Sequence, residues 1–210
     1  MGRWGSPRQP SSVMISGMTT SRGMRTTIWC ALAAFAILVV LGVTLKDQLR
    51  GELYLHHLRT ADEAQRKEAV AELASLGPET GAPFLVRALQ IPSAEVAIEV
   101  QNALKAMEAT GDAEFLSTAE LGRLRSKHGA SSSARDLLAQ DLLRHTELIP
   151  FEGILGGTMG FFGPDNLWFL RGKQVVAYFE DGHVGGHMLL KYRITEDGQI
   201  VWKVIKAFLS

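Results

Sequence analysis

Hydrophobic and polar positions follow three different patterns along the chain, and each pattern predicts a different kind of structure. Residues 26–45 are apolar throughout, with no charged residue and no proline. At a rise of about 1.5 Å per residue, a helix of this length crosses a hydrocarbon core of roughly 30 Å. Apolar residues then recur at helical spacing from 46 to 144, and they alternate with polar residues from 166 onward. We therefore expect a transmembrane helix, a helical region and a β-sheet, in that order.

The residues that flank the apolar segment predict its orientation. Residues 1–25 carry four arginines and no acidic residue, and their small and polar composition predicts a disordered basic tail, with Met24 as an alternative start. Basic residues ahead of an apolar segment favour keeping that end in the cytoplasm. The prediction is a single-pass protein of the cytoplasmic (inner) membrane with its C-terminal part exported. The alternative is secretion after cleavage of a signal peptide near Gly42.

Turn and capping residues divide the region 46–128 into short helices. The first is a juxtamembrane helix that continues from the apolar segment. Thr60 and Glu63 match the capping-box pattern for the next helix, in which each side chain bonds a free backbone N–H group. Breaks follow at 77–78 (Gly-Pro) and at 91–93 (Ile-Pro-Ser). The region is therefore predicted to be a series of helix pairs.

Two copies of one pattern recur in this region at a fixed offset of 31 residues. The matched positions are Leu73 with Leu104, Leu76 with Met107, Phe84 with Phe115 and Leu85 with Leu116. A helix pair that recurs at such a period is typical of a solenoid. On these residues, and on the run AVAELASLG at 69–77, the region 60–128 resembles the HEAT repeat family in a short form. The resemblance implies stacked helix pairs and a protein-binding surface.

A different architecture is predicted after a linker at 129–133 (Gly-Ala-Ser-Ser-Ser). Residues 134–144 form an amphipathic helical pattern, and no family resemblance is recognised from here on. Alternation predicts four strands joined by short turns, at 166–171, 173–180, 187–195 and 199–209. Such strands form an antiparallel meander, so 134–210 is predicted to be an α+β domain. Because the last strand is apolar on both faces, we expect it to be central or covered on both sides.

Charge and cysteine content narrow the possible functions. The formal net charge is zero, with 22 basic and 22 acidic residues, and no part of 46–210 is strongly basic. Nucleic acid is therefore not an expected partner. The only cysteine, Cys30, lies within the apolar segment. The rest of the chain thus has neither a disulfide nor a cysteine nucleophile.

Motifs for catalysis or cofactor binding are few. The glycine-dense stretch 153–163 lacks the Gly-Lys-Ser/Thr sequence and the helix start of a phosphate-binding loop. Asp181, His183 and His187 share odd parity, so along a regular strand they would lie on one face and could bind zinc or another divalent ion. Two features oppose this: the turn uses Asp181, and a bulge at 185–186 would change the parity. We therefore predict no cofactor, with these three residues as the metal candidates.

These patterns define a fold class, a membrane-anchored α + (α+β) protein. The function they favour is a protein-interaction or adaptor module with an unknown protein partner, held at the membrane by residues 26–45. No catalytic chemistry is identifiable. The alternative is a small-ligand-binding protein or an enzyme, with a pocket between the C-terminal sheet and its covering helix. Four aromatic residues would line that pocket: Trp168, Phe179, Tyr192 and Trp202.

Overall fold

The computed structural model describes residues 22–129 and 132–209. Internal contacts divide the chain into two units, Met1–Thr44 and Leu45–Ser210. Most of the predicted basic tail lies outside the described residues, but residues 22–25 already belong to the first helix.

A single long helix, α1 (Arg22–Thr60), contains both the predicted transmembrane segment and the juxtamembrane helix. Its candidate span, Leu32–Thr60, has a mean hydropathy of 1.8, and 0% of the apolar window is buried inside the protein. The prediction that one N-terminal helix is long and apolar enough to cross a membrane is therefore confirmed.

The C-terminal part of α1 packs into the second unit along one face. Leu55 and Leu58 are buried there. Gly51 lies so close to Phe84 that a Cβ atom at this position would come within 2.2 Å of the ring. Leu53 remains exposed on the same helix. No linker therefore separates the juxtamembrane part of α1 from the core that follows.

Six further helices lie within the described residues. They are α2 (Glu63–Ser75), α3 (Gly77–Ala88), α4 (Ala94–Ala106), α5 (Asp112–Phe115), α6 (Thr118–His128) and α7 (Ala134–Leu142). Ser93 and Ser133 cap α4 and α7, because their hydroxyl groups accept hydrogen bonds from backbone N–H groups of the first helical turn. Both caps follow from the sequence pattern alone.

The predicted capping box of Thr60 and Glu63 is wrong. Thr60 still belongs to α1, and its hydroxyl donates a hydrogen bond to the His56 carbonyl. Asp62 has the extended backbone of an N-cap residue, and its side chain accepts a hydrogen bond from the Gln65 N–H. The cap therefore lies two residues later than predicted because α1 is longer than its pattern indicates.

Five strands form one antiparallel sheet: β1 (Gly160–Phe161), β2 (Leu167–Leu170), β3 (Gln174–Glu180), β4 (Gly185–Ile194) and β5 (Ile200–Leu209). Strands β2 to β5 are the four predicted strands, and their consecutive pairing confirms the antiparallel meander. The two-residue β1 has no counterpart in the prediction. It pairs with the end of β3, on the same edge as β2.

The last strand is not central, and its two faces are only partly covered. β3 and β4 are central, whereas β5 lies at an edge and pairs with β4 alone. The register of its pairing with β4 also shifts by one residue at Ile205, which lies between Val204 and Lys206. This bulge reverses the faces of the residues that follow it. Trp202 and Phe208, which strict alternation would place on one face, therefore pack against different cores.

The central strands are buried on both faces. One core joins sheet residues such as Phe179 and Leu190 to α5, α6 and α7, and we call it the α7 core. The other joins Val176 and Leu189 to α1, α2, α3 and α4, and we call it the α1–α4 core. Residues before and after the predicted linker at 129–133 contribute to both cores. The sheet thus lies between two helical layers, and Leu45–Ser210 packs as one unit.

The two copies of the 31-residue pattern agree in burial but differ in packing. Leu73 and Leu104 are both fully buried in the α1–α4 core. Phe84 and Phe115 are also both buried, but Phe115 belongs to the α7 core. Phe115 lies on α5, which has four residues. The second copy therefore turns away from the first, and the HEAT resemblance remains an expectation.

Ion pairs connect the sheet to three different helices near the β2–β3 turn. The pairs are Arg171 with Glu114, Lys173 with Glu120 and Lys191 with Glu79, at 3.0, 2.5 and 2.8 Å. Desolvation is the largest single effect on the pKa of Glu120 and raises it. Hydrogen bonds from Lys173 and Ser117 outweigh it and lower the pKa to about 2. The carboxylate therefore stays ionised across the ordinary pH range.

The register of β3, β4 and β5 can be tested at Gly186, which pairs regularly with Phe179. A Cβ atom there would lie 2.1 Å from the Phe208 carbonyl oxygen and 2.7 Å from the Phe179 ring. Because backbone would have to move, we expect Gly186→Ala to lower the free energy of unfolding by about 1–3 kcal/mol. Thermal unfolding in detergent solution measures this. Gly160→Ala in β1 is the matched control, since no atom lies within 4 Å; equal midpoints for the two variants would contradict the register.

Candidate functional site

The Asp181 carboxylate organises the turn between β3 and β4. It accepts hydrogen bonds from the backbone N–H groups of Val184, Ile154 and His183. These bonds lower the pKa of Asp181 to about 2. Because Asp181 and His183 lie in this turn and outside the strands, the parity argument for a shared face does not apply to them.

His187 lies in a buried aromatic environment. It is 8% exposed, and it occupies the face of β4 that also carries Leu189 of the α1–α4 core. Its ring centroid lies 5.2 Å from that of Tyr178 and 6.3 Å from that of Trp168. Burial lowers the pKa of His187 to about 4. The imidazole is therefore neutral at neutral pH.

The three metal candidates thus occupy two different settings. Within residues 22–129 and 132–209, no group of three or more His, Cys, Asp or Glu side chains is placed to hold a metal ion. The Asp181 carboxylate accepts three backbone hydrogen bonds, whereas His187 packs among aromatic rings. Both side chains therefore have a structural role in this fold.

Three of the four aromatic residues expected to line a pocket lie on one face of the sheet. Phe179 is fully buried, and the Tyr192 hydroxyl donates a hydrogen bond to the Phe115 carbonyl. Trp202 is half-buried beside Tyr192, with ring centroids 5.4 Å apart. Trp168 packs against the opposite, α1–α4 core. Buried side chains of the sheet and of α7 pack against one another between these two elements.

A hydrogen bond attaches β5 to α7 across this face. Trp202 Nε1 donates to Asp141 Oδ2 at 2.7 Å. His145 Nε2 lies 3.5 Å from the same oxygen, and His145 Nδ1 lies 2.6 Å from Glu147 Oε1. This network of polar side chains holds one face of β5 against α7. It does not involve the outer edge of the strand.

A shallow cleft of about 200 Å³ lies between α2 and α4. Val70, Val96 and Ile98 supply its apolar surface, and Lys67 and Glu99 form an ion pair there at 3.4 Å. The lining mixes acidic and basic side chains, so it does not favour a ligand of one charge. An exposed pair of this kind also contributes little to stability.

The outer side of β5 is an open strand edge. Within the part of the chain that the structure describes, no strand pairs with it, and Ile205 and Leu209 are 38% and 40% exposed. Lys203 and Lys206 are also exposed, and they lie on the same face as Lys191 of β4. Such an edge presents unpaired N–H and C=O groups to a further strand. We call this open side of Ile200–Leu209 the β5 edge.

Comparison of the chain with protein-family models, with curated proteins and with solved structures found no match. Functional inference therefore depends on the geometry of the chain itself, above all on α1 and on the β5 edge.

The functional residues predicted from the sequence do not include the β5 edge. The sequence of the strand nevertheless contains a pattern that indicates this edge. Lys203 and Lys206 are three residues apart, so in a regular strand they would point to opposite faces. One lysine would then enter a core. The spacing therefore indicates a bulge between them, and a strand with two exposed lysines is typical of a sheet edge.

Acid should destabilise the protein through His187. Its pKa is lower in the folded state, about 4, than the ordinary 6.5. As pH falls below 6.5 the unfolded chain takes up the proton first, so the free energy of unfolding should decrease until about pH 4. The loss from this one group should reach about 3 kcal/mol.

Denaturant unfolding at a series of pH values measures this effect. We expect His187→Gln to have a shallower decline between pH 6.5 and 4 than the unsubstituted protein. His183→Gln, in the exposed turn, is the matched control and should retain the full decline. Parallel curves for the unsubstituted protein and His187→Gln would contradict the assignment.

Proposed function

We propose that the protein is a single-pass membrane protein whose unit Leu45–Ser210 acts as a protein-interaction module. The observation that supports this most strongly is the composition and exposure of α1. Nine large apolar side chains between Trp29 and Val43 are 49–71% exposed. Each would gain about 1.5–3 kcal/mol from leaving water. A lipid bilayer supplies that environment along the whole segment.

The continuity of α1 favours an anchor over a cleaved signal peptide. The helix runs without interruption through Gly42, and its residues Leu55 and Leu58 belong to the α1–α4 core. The basic residues ahead of the segment favour a cytoplasmic N-terminus. The unit Leu45–Ser210 is then displayed on the outer side of the cytoplasmic membrane.

An interaction function fits the surface of this unit better than catalysis does. Asp181 accepts backbone hydrogen bonds, His187 packs among aromatic rings, and the four candidate pocket aromatics pack in the two cores. The β5 edge, in contrast, has no described strand paired with it, and Lys203, Ile205 and Lys206 are exposed there. An adaptor needs such a surface, and it needs no reactive group.

Membrane retention tests the anchor. Leu38→Arg combined with Leu41→Arg places two charges in the span, at a cost of about 3 kcal/mol each in a bilayer. We expect the unsubstituted chain to stay in the membrane pellet after an alkaline carbonate wash, and this double variant to be lost from it. Ile98→Arg combined with Leu155→Arg, at exposed apolar positions outside the span, is the control. Release of the unsubstituted chain by carbonate would rule out an integral anchor.

Orientation can be tested in the same cells with a membrane-impermeant maleimide. In a Cys30→Ser background, Gln101→Cys on the exposed surface of α4 should react from outside, whereas Ser12→Cys should not. The reverse labelling pattern would contradict the proposed topology. The mass of the mature chain decides between an anchor and cleavage near Gly42.

A further inference from the structure

We propose that the β5 edge binds an extended, acidic segment of a partner protein, which adds to the sheet as a further strand. This inference rests on the proposed function, because it specifies the class of partner for the interaction module. Addition of a strand to an exposed sheet edge is a common mode of peptide recognition, in which backbone hydrogen bonds supply affinity and side chains supply specificity.

The backbone of β5 is suited to such pairing. The strand is ten residues long and pairs with β4 on one side only. Trp202 is held by Asp141 through a hydrogen bond of 2.7 Å. Since this contact lies on a face of the sheet, it orders the strand without occupying the edge.

The charges of β5 favour an acidic occupant. Lys203 lies directly opposite Lys191 on β4, and like charges in that arrangement are destabilising. Glu79 pairs with Lys191 at 2.8 Å, but β5 itself contains no acidic residue. An acidic side chain on the open side of Lys203 would offset the repulsion between these two lysines.

The bulge fixes the spacing of the acidic residues that would fit. Although Lys203 and Lys206 are three residues apart in sequence, their partners on β4 are Lys191 and Leu189, which are two residues apart. The two lysines are therefore neighbours on one face. A strand that pairs with this edge would match them with acidic residues at positions i and i+2.

A second copy of this chain fits the same edge poorly. Antiparallel pairing of two β5 strands about their midpoint, between Val204 and Ile205, would put Lys203 opposite Lys206 of the other copy. Edge lysines and bulges are known to disfavour such self-association. The two lysines, in contrast, favour a strand of opposite charge.

Peptide binding to the purified full chain in detergent micelles tests the proposal. The probes are three fluorescein-labelled ten-residue peptides of threonine and valine: one with glutamates at i and i+2, one with glutamates at i and i+1, and one with lysines at i and i+2. Fluorescence anisotropy measures each dissociation constant. We expect the first peptide to bind at least about tenfold more tightly than the other two, because only it pairs both lysines on one face.

Charge reversal supplies the matched variants. Lys203→Glu combined with Lys206→Glu should weaken binding of the i, i+2 glutamate peptide at least about tenfold and should gain binding of the lysine peptide. Lys105→Glu, at an exposed position of α4, should leave both affinities unchanged. A single cooperative thermal unfolding transition shows that the double variant is folded.

Three results would overturn the proposal. They are equal binding of the two glutamate spacings, binding that charge reversal does not alter, and dimerisation of the chain through β5 as measured by light scattering. Membrane retention is a separate readout. If the chain stays in the membrane but fails the peptide test, the membrane anchor is supported and an acidic partner strand is ruled out. If carbonate releases the chain but it passes the peptide test, the partner strand is supported and an integral anchor is ruled out.

Discussion

The burial of β3 and β4 on both faces is the constraint on which the rest of the second unit depends. A single apolar face could be covered by α7 alone. Because Val176 and Leu189 point away from α7, a second helical layer is required, and α1 to α4 supply it. The helices in turn need the sheet, since their core includes these two side chains. Neither layer completes a core by itself, which explains why Leu45–Ser210 packs as one unit.

Polar contacts then attach some parts of the sheet to neighbouring helices, whereas the outer edge of β5 has no described strand paired with it. The β2–β3 turn is held by ion pairs with α5 and α6, and the Ala109 N–H donates to the Phe169 carbonyl of β2 at 2.9 Å. On the other side of the sheet, Trp202 and Asp141 fix a face of β5 but nothing described pairs with its backbone edge. Within the described residues, β5 therefore forms an ordered edge with which no strand pairs, and it lies in the unit Leu45–Ser210.

Local patterns predicted much of this fold, and the errors arose where distant residues decide. The alternation of Met188, Leu190, Tyr192 and Ile194 is a property of one strand, and all four lie in the α7 core. Whether β5 is central or at an edge depends on pairing partners, which its own apolar residues do not specify. The cap of α2 was misplaced because the end of α1 is set by packing. The spacing of Lys203 and Lys206 indicates a sheet edge, but the opposition of Lys191 and Lys203 depends on how β4 and β5 pair, which neither strand's own sequence specifies.

The shared α1–α4 core has a consequence for synthesis of the chain. Leu85 precedes Leu189 by 104 residues in sequence (189 − 85 = 104). At about 5–20 residues per second, roughly 5–20 s pass between their incorporation. During this interval the helices have been made while their apolar partner surface has not. The apolar residues of these helices therefore lack the partners that complete their core until β4 emerges.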